Sequence, residues 1–135
     1  MVVVDTNIII DHLRTVGEKD SYFIELSKNL PKDSLAISIA TVQELYQGRS
    51  TRNLEQEKNL IATIAPLKIL HYTYQIAKLA GQISRDTNGM VEFVDAAIAA
   101  TTILNDAELF TLDRKDFHNI KGLVLYSRLD SSLVR

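Results

Sequence analysis

Short apolar runs alternate with longer amphipathic segments along the whole sequence. The runs are rich in valine, isoleucine and leucine and are bounded by polar or turn-forming residues, which predicts buried strands. We expect strands at residues 2–4, 35–38, 67–70, 109–112 and 123–126. Between them, apolar residues recur at the three- and four-residue spacing of a helix face. We expect helices at residues 6–14, 20–30, 41–48, 54–64, 74–85 and 94–104.

Short buried strands that alternate with helices predict a parallel sheet covered on both faces. We therefore expect an α/β fold, a three-layer α/β/α domain with a mainly parallel sheet of about five short strands. Its crossovers should be right-handed, and a ligand site should lie at the carboxyl edge of the strands. We take residues 1–135 as a single domain, because no repeat, low-complexity run or Pro/Gly-rich linker interrupts them.

The composition is that of a soluble globular protein, with 46% hydrophobic and 24% charged residues. There is no cysteine, which excludes disulfides and cysteine-based zinc sites and fits a reducing cytoplasm. No apolar stretch approaches the roughly 20 residues of a membrane-spanning helix. The N-terminus also lacks the basic region and cleavage site of a signal peptide. We therefore expect a cytoplasmic protein with no membrane partner.

Four acidic residues fall where the predicted topology brings them to one edge of the sheet. Asp5 follows the first strand, and Asp113 closes the fourth. Glu44 lies in the first turn of the helix after the second strand, and Asp95 begins the helix that leads into the fourth. Because a helix that feeds a parallel strand runs antiparallel to it, the start of that helix lies at the carboxyl edge of the sheet.

Each acid taken singly also has a structural explanation. Asp5 would cap the first helix, and residues 41–44 have the pattern of a capping box. Asp95 suits a helix dipole, and Asp113 suits a turn. Four carboxylates at one edge, however, repel each other unless a cation lies between them. All-oxygen ligands select hard cations such as Mg²⁺ or Mn²⁺, which serve phosphate chemistry, so we favour a metal site.

The net charge bears on whether the substrate is a nucleic acid. The formal value of -2 argues weakly against a phosphate-binding surface. Leaving out the four acids of the predicted metal site changes this value to +2. Divalent cations at the site would make it attractive to phosphate. A nucleic-acid substrate is therefore compatible with the composition.

Four motifs follow one another along the chain. They are VVDTN at residues 3–7, Glu44-Leu45 followed by Gly48, DAAIAAT at residues 95–101 and FTLDRKDF at residues 110–117. In this order they resemble the motifs of the PIN-domain nucleases, and most closely those of the VapC-type toxins of bacterial and archaeal toxin–antitoxin pairs. The resemblance covers nearly the whole chain and implies a PIN-like fold. It also implies a Mg²⁺- or Mn²⁺-dependent endoribonuclease that hydrolyses RNA phosphodiester bonds.

The resemblance assigns the metal-binding and catalytic roles to the four acids already described, namely Asp5, Glu44, Asp95 and Asp113. Asp116 is a neighbour that could share the role of Asp113. Glu92 could replace Asp95 as a ligand if its helix starts earlier.

Polar and basic residues close to the acids are the next candidates. Thr6 and Thr111 are placed to hydrogen-bond the ligating carboxylates, and Asn7 would either do the same or help to start the first helix. The candidate RNA contacts are Arg14, Arg49, Arg114 and Lys115. Ordinary turn chemistry and solvated surface charge are the alternatives for these two groups.

Two other classes of function remain as alternatives. A phosphotransfer protein would use Asp5 as a nucleophile, but a phosphatase of that kind would want a second Asp where Asn7 stands. A non-catalytic PIN-like module would bind RNA or protein without cutting it, and retention of all four acids argues against it.

The expected partners follow mainly from the resemblance. They are an RNA substrate and a VapB-like antitoxin that lays a segment into a groove and presents a basic side chain to the acids. A homodimer is also expected, and aromatic residues such as Tyr46 and Tyr74 that exceed what one small core can bury are consistent with it.

Overall fold

The computed structural model of the chain describes residues 1–15 and 19–127. Their strands form one parallel five-stranded sheet in the order β3-β2-β1-β4-β5. The strands are β1 (Val2–Val4), β2 (Leu35–Ser38), β3 (Lys68–Leu70), β4 (Glu108–Phe110) and β5 (Val124–Leu125). The first strand lies at the centre, so the residue that follows it emerges in the middle of the carboxyl edge.

Helices connect the strands along the chain. They are α1 (Thr6–Arg14), α2 (Tyr22–Asn29), α3 (Ile39–Gln47), α4 (Leu54–Ile64), α5 (Tyr74–Asp86), α6 (Phe93–Leu104) and α7 (Arg114–Phe117). Two short 3-10 segments, Lys32–Ser34 and Arg49–Arg52, precede β2 and α4. Within the described ranges, no helix is both long and apolar enough to cross a membrane.

Side chains of the central strands point alternately into two apolar cores, one on each face of the sheet. Val3 and Ala36 belong to a core that α5, α6 and α7 complete. Val2, Val4 and Ile37 belong to the opposite core, which α1, α2, α3 and α4 cover. Because successive side chains of a strand point to opposite faces, all-apolar strands such as β1 require a covering layer on each face. The predicted three-layer α/β/α fold is confirmed.

The predicted boundaries agree with the structure for β1, β2, α1 and α4. They differ at the fourth strand, which was expected to continue to residue 112 and ends at Phe110. Beyond it, Leu112 donates its backbone N–H to the Asn7 side chain, and the unpredicted α7 follows. Asp113 therefore does not close the strand but precedes α7. The last residues of the predicted domain, 128–135, lie outside the described part of the chain.

Candidate active site

The buried carboxylate of Asp5 lies at the centre of the sheet's carboxyl edge. β1 pairs with β4 so that Val4 lies beside Phe110, which places Asp5 next to Thr111. The Thr111 hydroxyl donates to Asp5 Oδ2 at 2.6 Å, and the Thr6 backbone N–H donates to Asp5 Oδ1 at 2.8 Å. Only 4% of Asp5 is exposed. Asp5 therefore caps α1, as the simpler interpretation expected, and its second oxygen accepts from Thr111, which directly follows the neighbouring strand β4.

Asn7 joins the start of α1 to the segment that follows β4. Its Nδ2 donates to Asp113 Oδ2 at 3.0 Å and to Thr111 Oγ1 at 3.3 Å. The Asp113 backbone N–H also donates to Thr111 Oγ1, at 3.0 Å. Thr111 Oγ1 thus accepts two hydrogen bonds, so its own proton is directed to Asp5. These contacts fix Asp113 relative to Asp5, although the two residues are far apart in sequence.

Glu44 lies one turn further along its helix than expected. α3 begins at Ile39, because β2 passes into the helix without a loop and the Ser38 hydroxyl caps it by accepting from the Ala40 N–H at 3.1 Å. The predicted capping box at residues 41–44 does not form. Thr41 is buried inside α3 instead and accepts a hydrogen bond from the Thr6 hydroxyl at 3.2 Å. Thr6 consequently reaches Asp5 through its backbone, not its side chain.

Asp95 lies in the first turn of α6, where the sequence placed it. The helix begins at Phe93, and Glu92 occupies the N-cap position without a side-chain capping bond. Asp95 is half-buried, whereas Glu92 is exposed. Of Asp95 and Glu92, Asp95 is therefore the more buried candidate ligand.

Burial and mutual repulsion disturb the titration of two of the acids. Burial raises the pKa of Asp5 from 3.8 to about 6, the bonds from Thr111 and Thr6 lower it, and the charges of Glu44 and Asp113 raise it. The pKa of Asp95 is also raised from 3.8 to about 6, by burial first. For Asp95 the further causes are the charges of Asp5, Glu44, Asp116 and Glu92. The acids therefore share one electrostatic environment.

Asp113 and Asp116, the two candidates for the fourth acid, act on different acids of the site. Asp113 raises the pKa of Asp5 and is held by Asn7, whereas Asp116 raises the pKa of Asp95. Both are exposed. The fold thus places each of the two candidates for the fourth acid beside a different buried or half-buried aspartate.

No positively charged side chain of the described residues forms an ion pair with any of these acids, since the described ion pairs involve Lys28 and Arg85 only. Nor do any three acidic or histidine side chains in those ranges lie close enough together to enclose one ion. To hold one cation, the side chains would have to move together.

The candidate basic residues separate into two pairs. Arg14 and Arg49 line a cavity of about 430 Å³ that Glu44 also lines. Arg114 donates from one guanidinium nitrogen to the Tyr126 backbone carbonyl at 3.2 Å, and Lys115 is exposed on α7. Arg14 and Arg49 are therefore the two candidate basic residues that share a cavity with Glu44.

Three polar residues near the site were not singled out from the sequence. Thr41 supports Thr6 from inside α3, and Gln56 and Asn59 on α4 line the cavity beside Glu44. The spacing of Gln56 and Asn59 places them on one helix face. This spacing was the available signal, but it also occurs on ordinary solvated helix surfaces.

Comparison with known proteins supports the resemblance inferred from the motifs. Ribonuclease VapC10 of Mycobacterium tuberculosis is 30% identical over 116 residues, which cover 84% of this chain and 83% of that protein. A toxin–antitoxin complex from Klebsiella pneumoniae matches with a TM-score of 0.72 at 27% identity, covering 92% of this chain and 96% of that one. The DNA-bound VapBC of Salmonella typhimurium matches with a TM-score of 0.75 at 27% identity, covering 93% and 96%.

A match to a protein-family model, together with the fold, shows which family the chain belongs to. The model described as PIN domain matches residues 2–123, a range that contains the four strands β1 to β4 and each of the candidate acids. The order of the motifs, the parallel sheet and the position of Asp5 at its carboxyl edge agree with that match. The chain therefore belongs to the PIN domain family.

Proposed function

We propose that the chain is a metal-dependent ribonuclease that acts as the toxin of a toxin–antitoxin pair. One observation carries the proposal most directly. The buried Asp5 carboxylate lies among the charges of other acids at the carboxyl edge, and no cationic side chain of the described residues is paired with them. Membership in the PIN domain family and similarity to a ribonuclease add to it.

The donor set fits a hard divalent cation such as Mg²⁺ or Mn²⁺. Every candidate ligand is a carboxylate, and hard cations prefer oxygen ligands. We assign the cation to Asp5, Glu44, Asp95 and Asp113, with Asp116 as a further candidate. When bound, the cation would activate water and neutralise charge on the leaving oxygen. Because ligands must be ionised, the raised pKa values of Asp5 and Asp95 predict weaker cation binding below pH 6.

The remaining residues of the site hold the acids and the substrate in place. Thr111 and the Thr6 backbone orient Asp5, and Asn7 orients Asp113. Loss of a residue that hydrogen-bonds to a metal-binding side chain typically lowers metal affinity or activity by about 10- to 100-fold. Arg14 and Arg49 are assigned to the RNA phosphates, because they line the cavity that Glu44 shares.

The alternative of an aspartyl-phosphate protein is disfavoured by the residue two positions after Asp5. A phosphatase of that kind would want a second Asp where Asn7 stands. Asn7 is a neutral amide, and its Nδ2 donates to Asp113 and Thr111.

The ribonuclease proposal predicts the chemistry of the cleaved ends. Purified protein with Mn²⁺ should cut a pool of single-stranded and hairpin RNA oligonucleotides, and the products should carry linear phosphates. Hydrolysis by water leaves such ends, whereas attack by the ribose 2′-hydroxyl leaves a cyclic phosphate. Mass spectrometry of the fragments distinguishes the two, and an RNA with one 2′-deoxy substitution at the cut site should still be cleaved. Cyclic phosphate ends, or an intact pool, would contradict the proposal.

A VapB-like antitoxin is the proposed protein partner. The similar structures from Klebsiella pneumoniae and Salmonella typhimurium are toxin–antitoxin assemblies. Acids without a cationic partner would be neutralised by a basic side chain that such a partner presents. The proposed compartment is the cytoplasm, where RNA is available.

We also propose a homodimer, formed through an aromatic groove between α3 and α6. Tyr46, Tyr72 and Phe93 line this groove, which has a volume of about 550 Å³. Tyr74, the first residue of α5, is 78% exposed. Clustered exposed aromatic side chains mark contact surfaces, and a second copy would cover them in a self-complementary interface.

A matched pair of variants tests the dimer. Phe93 is 79% exposed in the groove, and Leu54 is 76% exposed on α4 outside it. Phe93→Ser should weaken dimerisation about tenfold or more, the loss expected for a buried aromatic contact of about 1.4 kcal/mol or more. Leu54→Ser should leave it unchanged. Light scattering over a range of concentrations measures both, and a parent protein that is monomeric at tens of micromolar (about the usual assay range) removes the proposal.

A further inference from the structure

A cavity opens beside the acids, on the side of α3 opposite the aromatic groove. It lies between α1, α3 and α4 and has a volume of about 430 Å³. Glu44 lines it, so the cavity is continuous with the proposed catalytic edge. Its size falls within the range of about 300–1,000 Å³ that small-molecule sites occupy.

The cavity combines an apolar floor with a polar rim. Leu13, Leu45 and Leu60 contribute apolar surface, whereas Gln56 and Asn59 contribute amides from one face of α4. Among the described residues, neither amide side chain has a hydrogen-bond partner. The backbone N–H of Gln56 donates to Asn53, and the backbone carbonyl of Asn59 accepts from Thr63. An apolar floor accepts the face of a nucleobase, and amides read its edge by pairing a donor and an acceptor with it.

The charge on the rim suits a nucleotide better than an apolar protein segment. Arg14 and Arg49 line the cavity, and neither forms an ion pair within the described residues. Unpaired guanidinium groups bind phosphate through two parallel hydrogen bonds. An apolar helix seated here would leave both charges and both amides without partners, which is costly for groups removed from water.

We propose that this cavity binds the base of a nucleotide adjacent to the scissile phosphate, so that Gln56 and Asn59 determine base preference. The inference rests on the proposed ribonuclease function. Glu44 lies at the junction, with the cleavage chemistry on one side and the bound base on the other. Arg14 and Arg49 contact the phosphates that connect the two positions.

Base preference tests the proposal in the intact protein. The substrates are RNA oligonucleotides of one sequence that differ in the base at single positions on either side of the cut. Gln56→Ala and Asn59→Ala should each reduce the ratio of kcat/KM between the best and worst base at one position, roughly tenfold for the loss of a paired base contact. Gln75→Ala, an exposed amide on α5 outside the cavity, is the matched control and should keep the parent ratio. Cleavage with unchanged ratios in both cavity variants would overturn the proposal.

Direct binding separates this proposal from the ribonuclease function itself. The four nucleoside 5′-monophosphates are titrated into protein kept in EDTA, and backbone amide NMR shifts report where they bind. At least one nucleotide should shift Gly48, Ser50 and Asn59, with weaker shifts in Asn59→Ala. Nucleotide binding at the cavity without any RNA cleavage would contradict the proposed ribonuclease function but not the nucleotide site. Cleavage without shifts at the cavity would overturn the site and leave a protein segment as its occupant.

Discussion

Asp5→Asn should lower metal-dependent RNA cleavage by about 10³-fold or more, since a cation held at the proposed site would stabilise the transition state by several kcal/mol. Asp5 is the buried acid at the centre of the edge, and a neutral amide is a poor ligand for a hard cation. The substitution also disturbs the local network. Thr111 Oγ1 already accepts from Asn7 and Asp113, so it has no place for a third donor from an Asn at position 5.

Glu44→Gln removes a charge without this complication, because no hydrogen bond of the Glu44 side chain occurs among the described residues. It should lower cleavage in the same direction. Glu55→Gln, in the exposed first turn of α4, makes the same chemical change outside the site and should retain parent activity. Initial rates at saturating Mn²⁺ measure all three variants, with circular dichroism to show that each is folded. Parent rates in both Asp5→Asn and Glu44→Gln would refute the assignment of these acids.

Asp95→Asn should have opposite effects on stability with and without metal. Without metal and above pH 6, the variant should be more stable by up to about 1 kcal/mol, because the substitution removes the cost of burying a charge and then the repulsion from the neighbouring acids. The gain stays this small because Asp95 is partly exposed to solvent and because the substitution also removes roughly 0.3–1 kcal/mol of helix-dipole attraction. The corresponding rise in Tm is about 3 °C. With Mn²⁺ at about 100 times its Kd, the parent should gain about 2.7 kcal/mol and the variant less.

The pH dependence of the metal-free difference follows from the raised pKa of Asp95. Below 3.8 the carboxyl is neutral in both the folded and unfolded chain, so ionisation gives no advantage to either protein. As pH rises from 3.8 through about 6, the unfolded parent ionises first and the folded parent loses stability relative to the variant. The advantage of the variant should therefore appear across this window and be complete above it.

Melting curves at pH 4 and pH 7.5, each with EDTA or Mn²⁺, measure these effects. Asp33→Asn is the control, since Asp33 is exposed in the 3-10 segment before β2. It should show neither the pH-dependent gain nor the altered response to metal. An Asp95→Asn protein that responds to Mn²⁺ as strongly as the parent would exclude Asp95 as a ligand.

Topology explains why much of the site was predictable from sequence. β1 is apolar throughout and directly precedes Asp5, so the pattern alone placed that acid at the carboxyl edge of a buried strand. Asp95 followed from the antiparallel course of α6 relative to β4. Both inferences needed only the alternation of strands and helices, which the hydrophobic pattern determines.

The parts that sequence did not predict depend on tertiary contacts. Residues 41–44 have a good capping pattern, but Ser38 ends β2 and caps α3 itself, and Thr41 is buried against Thr6. The hydrogen bond from Asn7 to Asp113 spans 106 positions of sequence, so no local pattern could reveal it. Gln56 and Asn59 resemble a solvated helix face until the cavity beside α3 is known.

Restoration of RNA cleavage by metal tests the central claim most directly. Protein stripped with EDTA and returned to metal-free buffer should leave single-stranded RNA intact at pH 7.5. Addition of Mg²⁺ or Mn²⁺ should restore cleavage in the parent and not in Asp5→Asn, because we propose that the cation binds through the acids at the carboxyl edge. Undiminished cleavage in excess chelator would contradict the account.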